Sequence, residues 1–344
     1  MSRNIVITGA AGFIGAAISN RLLKRGENVI GIDNINNYYD VNLKKARLQE
    51  TKDVAENSSG KWNFYNFSIE NQEKLNEISD MYSPNIVINL AAQAGVRYSI
   101  RNPKKYLDSN LLGFGNILEF CRKNNVENFI YASSSSVYGA NKNLPFKETH
   151  SVDHPISLYA ATKKANEVMA HSYSHLFQIP SIGLRFFTVY GPWGRPDMAP
   201  MIFAKSILNK VPIDVFNYGE MARDYTYIDD VVDAIEGCCC KPAVSCEKFN
   251  FLEPNPSKSF APHMIFNVGS NNPIPLLEFI QILEKELGIE AIKNLKPLHP
   301  GDVVKTWSSI DNLNNWIGYK PKVRLDEGIH HFANWYKLYF HPHQ

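Results

Sequence analysis

A tyrosine and a lysine four residues apart, Tyr159 and Lys163 in the stretch SLYAATKKAN, carry the most legible chemistry in the chain. On a helix that spacing puts both side chains on one face, one turn apart, so the phenol and the ammonium project into a common site. A free tyrosine ionises near pH 10, and a fixed cation within about 4 to 6 Å favours the phenolate. A downward shift of about 3 units, worth about 4 kcal/mol, makes Tyr159 a usable base. Four hydroxyls, Ser133 to Ser136, follow a strand-like run ahead of that helix. They are suited to orienting a substrate hydroxyl toward the phenol. Taken alone, Tyr-x-x-x-Lys is also an ordinary aromatic beside a solvated lysine, so the surrounding elements must decide.

Those elements begin at the N-terminus. Arg3 to Thr8 reads as a β-branched strand, and Phe13 to Arg25 carries apolar residues at helical spacing. Between them lie Gly9, Gly12 and Gly15, a G-x-x-G-x-x-G turn. Glycines there let the backbone approach a pyrophosphate at the helix N-terminus, where free amides and the dipole favour anions. Asn28 to Ile32 reads as a second strand, and Asp33 ends it 18 residues after Gly15. A carboxylate at that place accepts from a ribose 2′-hydroxyl and repels a 2′-phosphate, which predicts NAD rather than NADP.

Strand and helix signals continue to alternate. Residues 40–60 read as helical and then loop-like, ending in the turn Asn57-Ser58-Ser59-Gly60, and strands are expected at Asn63–Phe67, Asn85–Ala91, Asn128–Ser133 and Ser181–Phe186. Helices are expected at Glu70–Met81, from Pro103 to about Lys123, and through Tyr159 to Phe177. This predicts a Rossmann-type doubly wound parallel sheet with its ligands beyond the carboxyl ends of the strands. Residues 1–186 form the expected NAD-binding domain, with some later segments returning to it. Residues 187–344 are expected to form mainly a smaller mixed α/β domain that binds substrate. Expected there are a helix at Met201–Lys210, strands at Ile213–Phe216 and Met264–Gly269, and helices at Pro275–Leu287 and Arg324–Phe340. The proline- and serine-containing stretch Lys241–His263 reads as an exposed loop.

Composition excludes several classes. The chain of 344 residues is 44% hydrophobic and 20% charged, with 36 basic against 34 acidic residues, so neither nucleic acid nor membrane is an expected partner. Without a signal-peptide pattern or a long apolar run, the expected location is the cytoplasm. The five cysteines, Cys121, Cys238, Cys239, Cys240 and Cys246, form no C-x-x-C pair and suit a reducing compartment. His171 and His175 share a helical face, but no HExxH glutamate or third ligand accompanies them, so no metal is expected.

The motifs TGAAGFIG, SSSSVYG and YAATK resemble those of the extended short-chain dehydrogenase/reductase family over essentially the whole chain. More narrowly, AAQAGVRYS, VDHPISLYAATKKANE, RFFTVYGPWGRPDMAP and RDYTYIDDVV are similar to stretches of UDP-glucuronate 4-epimerases. The resemblance implies a tightly held NAD contacted by Gly9, Gly12, Phe13, Ile14, Gly15, Asp33, Asn34, Leu90, Ala91, Ala92, Tyr159 and Lys163. It implies that Tyr159 takes the sugar 4-hydroxyl proton, that Lys163 lowers the tyrosine pKa and grips the nicotinamide ribose, and that Ser134 bridges the 4-oxygen and the phenol. By the same resemblance Ser134, Ser135, Ser136 and Thr188 hold the C6 carboxylate, while Arg195, Arg223 and Asp302 contact the nucleotide diphosphate and its ribose or sugar. Relatives also pair as homodimers through the helices after Pro103 and Ser157.

Relatives that dehydrate or decarboxylate nucleotide sugars carry an acid within the segment occupied here by Ser134 to Ser136, and this chain has none. It departs from the family at Ser68, often aspartate near the adenine, and at Asn89, often histidine. The alternatives are a 4-epimerase of a neutral or N-acetylated UDP-sugar, a UDP-glucuronate decarboxylase and, from another class, a non-catalytic NAD-binding regulator.

Overall fold

Strands apolar on both faces, alternating with amphipathic helices, are buried together only as a parallel sheet between two helical layers. The computed structural model, which describes residues 2–298 and 302–341, has that architecture. In chain order the first half runs β1 (Asn4–Thr8), α1 (Phe13–Lys24), β2 (Asn28–Asp33), α2 (Val41–Glu56), β3 (Lys61–Asn66), α3 (Gln72–Tyr82), β4 (Ile86–Asn89), α4 (Val96–Arg101), α5 (Pro103–Tyr106), α6 (Phe114–Asn124), β5 (Asn128–Ser134), α7 (Leu158–Phe177) and β6 (Ser181–Phe186). The second half runs β7 (Thr188–Tyr190), α8 (Ala199–Leu208), β8 (Ile213–Val215), β9 (Ala222–Tyr227), α9 (Ile228–Cys240), β10 (His263–Val268), β11 (Pro273–Pro275), α10 (Leu276–Leu287), β12 (Lys293–Leu295), α11 (Asp311–Ile317) and α12 (Leu325–Phe340).

The main sheet has seven strands in the order β10-β6-β5-β4-β1-β2-β3, every pairing parallel. Successive side chains point to opposite faces. Ile5 and Ile7 therefore pack with Phe13, Ile18 and Leu22 of α1, while Val6 packs with Leu75 of α3 and Phe114 of α6. The last strand comes from the second half of the chain: Met264 pairs with Ile182, and Phe266 with Leu184. Helix α9 returns to the same body, where Arg21 Nη1 of α1 meets Asp233 at 2.7 Å and Glu236 at 2.8 Å. A three-stranded sheet, β11-β9-β7, and the pair β12-β8 form smaller layers beside the main one.

The helix expected from Pro103 to Lys123 is not one regular α-helix. Leu107–Gly113 winds as π-helix between α5 and α6. Asn166 Nδ2 of α7 donates to the Asn110 carbonyl within these turns at 2.6 Å. The Asn110 side chain accepts from Gln93 N at 2.8 Å and donates to Thr162 Oγ1 at 3.0 Å, tying the widened turns to the end of β4 and to α7. The stretch expected as an exposed loop, Lys241–His263, is exposed at Phe251 and Leu252 but buries Ser257, Ser259 and Ala261. Ser259 Oγ lies 2.7 Å from His171 Nε2, and the Ile265 amide donates to the Ser257 carbonyl, so the loop's second part lies against α7 and β10.

One ion pair joins three elements of the core. Arg185 of β6 donates to Glu167 of α7 through Nε at 2.8 Å and Nη2 at 2.9 Å, and Ser133 Oγ of β5 donates to the same carboxylate at 2.6 Å. Burial by itself raises the Glu167 pKa; the Arg185 charge and the hydrogen bonds outweigh it and hold the carboxyl below its ordinary value. Removing one partner of such a pair strands the other charge in the interior. Glu167→Gln is expected to cost about 3 to 5 kcal/mol in urea unfolding at neutral pH, and a loss below about 1 kcal/mol would show that water or a neighbour satisfies Arg185.

Candidate active site

The turn after β1 is built for close approach by an anion. Gly9 has φ +71°, and a Cβ on it would lie 2.7 Å from the Ala91 nitrogen; a Cβ on Gly15 would lie 2.0 Å from the Gly9 carbonyl oxygen. Helix α1 starts after Gly12 without a side-chain cap, so the amides of Phe13, Ile14 and Gly15 open it toward the cleft. Asp33, at the end of β2, accepts from the Ala11 amide at 3.1 Å and the Ile35 amide at 2.8 Å. Those bonds fix the carboxylate and leave lone pairs for a hydroxyl donor. Asn34 Nδ2 reaches Ser68 Oγ at 3.3 Å. Asn89, where the resembled family often has histidine, accepts from Thr8 Oγ1 at 2.5 Å, and the same hydroxyl accepts from the Ala91 amide at 3.2 Å. That chain of bonds sets the course of Leu90, Ala91 and Ala92 along the cleft wall.

The hydroxyl cluster sits at the end of β5. Ser134 Oγ accepts from the Ser136 amide at 3.1 Å and caps a short 3₁₀ turn, Ser135–Tyr138. Ser157 caps α7 by accepting from the Ala160 amide at 3.1 Å, which starts the helix just before Tyr159. Lys163 is buried, and its Nζ donates to the Ala132 carbonyl at 2.8 Å. Burial lowers its pKa to about 8. Tyr159 lies half-buried with Tyr106 edge-on at 6.2 Å between ring centres. Desolvation raises its pKa, opposed by a hydrogen bond from Ser134 and by the Arg195 charge. The Lys163 ammonium is directed at the Ala132 carbonyl, and the Arg195 charge acts to lower the pKa of the phenol.

One continuous cleft collects most of the expected residues. Gly9, Gly12, Phe13, Ile14, Gly15, Asp33, Asn34, Leu90, Ala91 and Ala92 line one part, and Ser133 to Ser136, Tyr159, Lys163, Thr188 and Arg195 line the rest. Arg223 and Asp302 are not among its lining residues. Arg223 Nη1 donates to the Ala222 and Val304 carbonyls, each at 3.0 Å, and Asp302 pairs with Arg97 at 2.7 Å. The cleft also contains Asn36, Tyr38 and Lys44, absent from the expected set. Lys44 Nζ donates to the Asn36 carbonyl at 2.9 Å and to its side chain at 3.0 Å. The run Asn36-Asn37-Tyr38-Tyr39 has turn and aromatic character but no periodicity, so only its position just after Asp33 marked it.

His171 and His175 hold no metal-like geometry: His171 bonds to Ser259 and His175 packs edge-on to Phe260. Among the described residues no group of three or more His, Cys, Asp or Glu side chains could hold a metal ion. No helix among them is long and apolar enough to cross a membrane.

Residues 5–242 match the NAD dependent epimerase/dehydratase family. The chain belongs to that family. It is 51% identical over 338 residues to Protein CapI of Staphylococcus aureus, covering 98% of this chain and 99% of the relative. A probable UDP-glucuronate 4-epimerase of Rhizobium meliloti is 42% identical over 335 residues, covering 96% of each. The crystal structure of UDP-glucuronic acid 4-epimerase from Bacillus cereus, in complex with UDP-glucuronic acid and NAD, superposes with a TM-score of 0.82 at 32% identity, over 97% of this chain and 99% of that one.

In this epimerase/dehydratase family member the buried Lys163 makes stability depend on pH. Its folded pKa of about 8 lies below the value of 10.5 for an exposed lysine. Between those values the unfolded chain binds more protons, so the residue's contribution to stability rises with pH through that window. Relative to Lys163→Met, the natural protein is expected to gain about 2 kcal/mol between pH 7 and pH 9.5 in chemical denaturation. A pH-independent difference would mean that Lys163 keeps an ordinary pKa.

Proposed function

We propose that the protein is an NAD-dependent isomerase that interconverts UDP-glucuronate and UDP-galacturonate through a 4-keto sugar. The observation that carries this reading is a single cleft joining the Gly9–Gly15 anion turn to Ser134, Tyr159 and Lys163, with no acid among Ser133 to Ser136. A cradle that any Cβ would fill, the free amides of α1 and a fixed Asp33 carboxylate suit a dinucleotide with an unmodified 2′-hydroxyl. When bound, NAD supplies a hydride acceptor at one stage of the reaction and the donor at the next. Phe13, Ile14 and Gly15 offer amides to its pyrophosphate, and Lys163 offers an ammonium to the nicotinamide ribose.

Tyr159 takes the proton of the sugar 4-hydroxyl and, after the keto sugar turns over and C4 takes hydride on its other face, returns the proton to the 4-oxygen. Ser134 bridges the 4-oxygen and the phenol. The cost of forming the phenolate, raised by burial, is offset in part by charge and hydrogen bonding, with Ser134 and Arg195 both acting to lower it. A 4-ketone lies β to the C6 carboxylate, and such an acid loses CO₂ when the breaking bond aligns with the carbonyl π system. Ser135, Ser136 and Thr188, fixed by the 3₁₀ turn and by β7, hold the carboxylate out of that alignment through hydrogen bonds to its charged form. Arg195 faces the sugar end of the cleft; Arg223 and Asp302 lie outside it and serve the uridine diphosphate. Residues 1–186, with β10 added, form the cofactor-binding part, and residues 187–344 mainly the sugar-nucleotide part.

The protein works in the cytoplasm as a homodimer and supplies a uronate for polysaccharide synthesis. Five free cysteines support a reducing compartment. Exposed Leu107, Leu112, Val168, Leu176 and Phe177 on the α5 to α7 stretch support pairing there. Light scattering is expected to give twice the mass of one chain, and a single-chain mass would overturn the dimer.

Proton NMR of the purified protein with UDP-glucuronate is expected to show UDP-galacturonate and no released CO₂, while Tyr159→Phe abolishes turnover and keeps its NAD. A pentose product would instead assign a decarboxylase, and near-normal activity of the variant would remove Tyr159 from the mechanism.

A further inference from the structure

The turn Trp193–Asp197 is tied to the cofactor-binding half at both ends. At its start stands Arg47 of α2, fully buried, which donates through Nε to the Trp193 carbonyl at 3.1 Å and through Nη2 to the Gly194 carbonyl at 3.1 Å. The same guanidinium donates through Nη1 to the Ala11 carbonyl of the glycine turn at 3.1 Å. At its end Tyr38 donates its hydroxyl to Asp197 Oδ2 at 2.9 Å. Arg195 lies between the two ties and donates to Asp197 through Nε at 3.0 Å and Nη2 at 2.6 Å. Among the described residues its Nη1 has no protein acceptor, and the side chain lines the cleft that holds Tyr159.

Tyr38 is itself set in place. Its amide bonds to Asn36 Oδ1 at 3.2 Å, and Lys44 grips Asn36 from α2. Its ring packs on Tyr98 at 4.8 Å between centres. Gly95, at φ +99°, makes room for its hydroxyl, since a Cβ there would come within 2.5 Å of that oxygen. A bidentate arginine-carboxylate pair fixes the plane of the guanidinium, and a hydroxyl on the carboxylate fixes the plane of the carboxylate in turn.

We propose that Tyr38 and Asp197 are positioning residues: Tyr38, from the loop that follows Asp33, holds Asp197 so that Asp197 aims the free edge of Arg195 at the sugar beside Tyr159. The alignment of a cation in the sugar half then depends on a loop of the cofactor half, so the two ligands are read through one chain of three side chains. This deepens the proposed function and rests on it for the identity of the sugar.

A double-mutant cycle on the NAD-loaded protein tests the chain, because residues acting through one another show non-additive effects. Tyr38→Phe keeps the ring and removes the hydroxyl. It is expected to lower kcat/KM for UDP-glucuronate about tenfold, as loss of a hydrogen bond to a charged group does, with NAD content unchanged. In an Arg195→Ala background the same substitution is expected to change kcat/KM less than twofold. Calorimetric affinity for UDP-glucuronate is measured on all four proteins, so the cycle remains readable if Arg195→Ala has no turnover. Equal effects of Tyr38→Phe in both backgrounds, or none in the natural protein, would overturn the proposal. If the natural protein turns over UDP-glucose and not UDP-glucuronate, the proposed substrate fails, and the same cycle run with UDP-glucose still decides the coupling.

Discussion

Two hydrogen bonds, one helical turn apart, lock α7 to the end of β5. Lys163 Nζ donates to the Ala132 carbonyl at 2.8 Å, and Ser133 Oγ donates to Glu167 at 2.6 Å. Because 163 and 167 share a helix face and 132 and 133 are consecutive, this contact fixes both the height and the rotation of the helix against the sheet. Tyr159, one turn before Lys163, is thereby set beside Ser134, the next residue of the strand. Arg185 completes the joint by neutralising Glu167 from β6. The proposed catalytic Tyr159 is therefore placed by the core of the sheet.

The same burial that makes the placement rigid carries an electrostatic cost. It lowers the Lys163 pKa and raises that of Tyr159, and both shifts disfavour the charged forms. The opposing influences come from outside the helix: Ser134 from the strand end and Arg195 from the turn after β7. In the proposed mechanism the reacting end of the cleft therefore draws on distant parts of the chain, Tyr159 from α7 and Arg195 from the turn after β7.

Much of this was legible in the sequence because it is local. The Gly9–Gly15 turn, Asp33 at the end of β2, the serine run and the Tyr159–Lys163 pair each follow from spacing within one strand-turn-helix unit. What escaped depends on residues far apart in the chain. The π-helical turns between α5 and α6 are bonded to Asn166, 56 positions after Asn110. The direction of the Lys163 ammonium depends on a carbonyl 31 positions earlier, which helical periodicity does not specify. Tyr38 sits in an aperiodic loop and gains meaning only when Asp197, 159 positions later, is beside it. Motif resemblance likewise does not specify the partners of Arg223 and Asp302, the Val304 carbonyl and Arg97, which lie 81 and 205 positions away.

In the proposed reaction the hydrogen at C4 of the sugar leaves as a hydride, stays in the site and returns to the opposite face of the same carbon. UDP-glucuronate carrying deuterium at C4, turned over by the NAD-loaded protein in ordinary water, measures this directly. UDP-galacturonate that retains the deuterium at C4 is expected. Loss of the label to solvent would contradict it, because it would mean that C4 is inverted by proton exchange and that the cleft does not perform a hydride transfer.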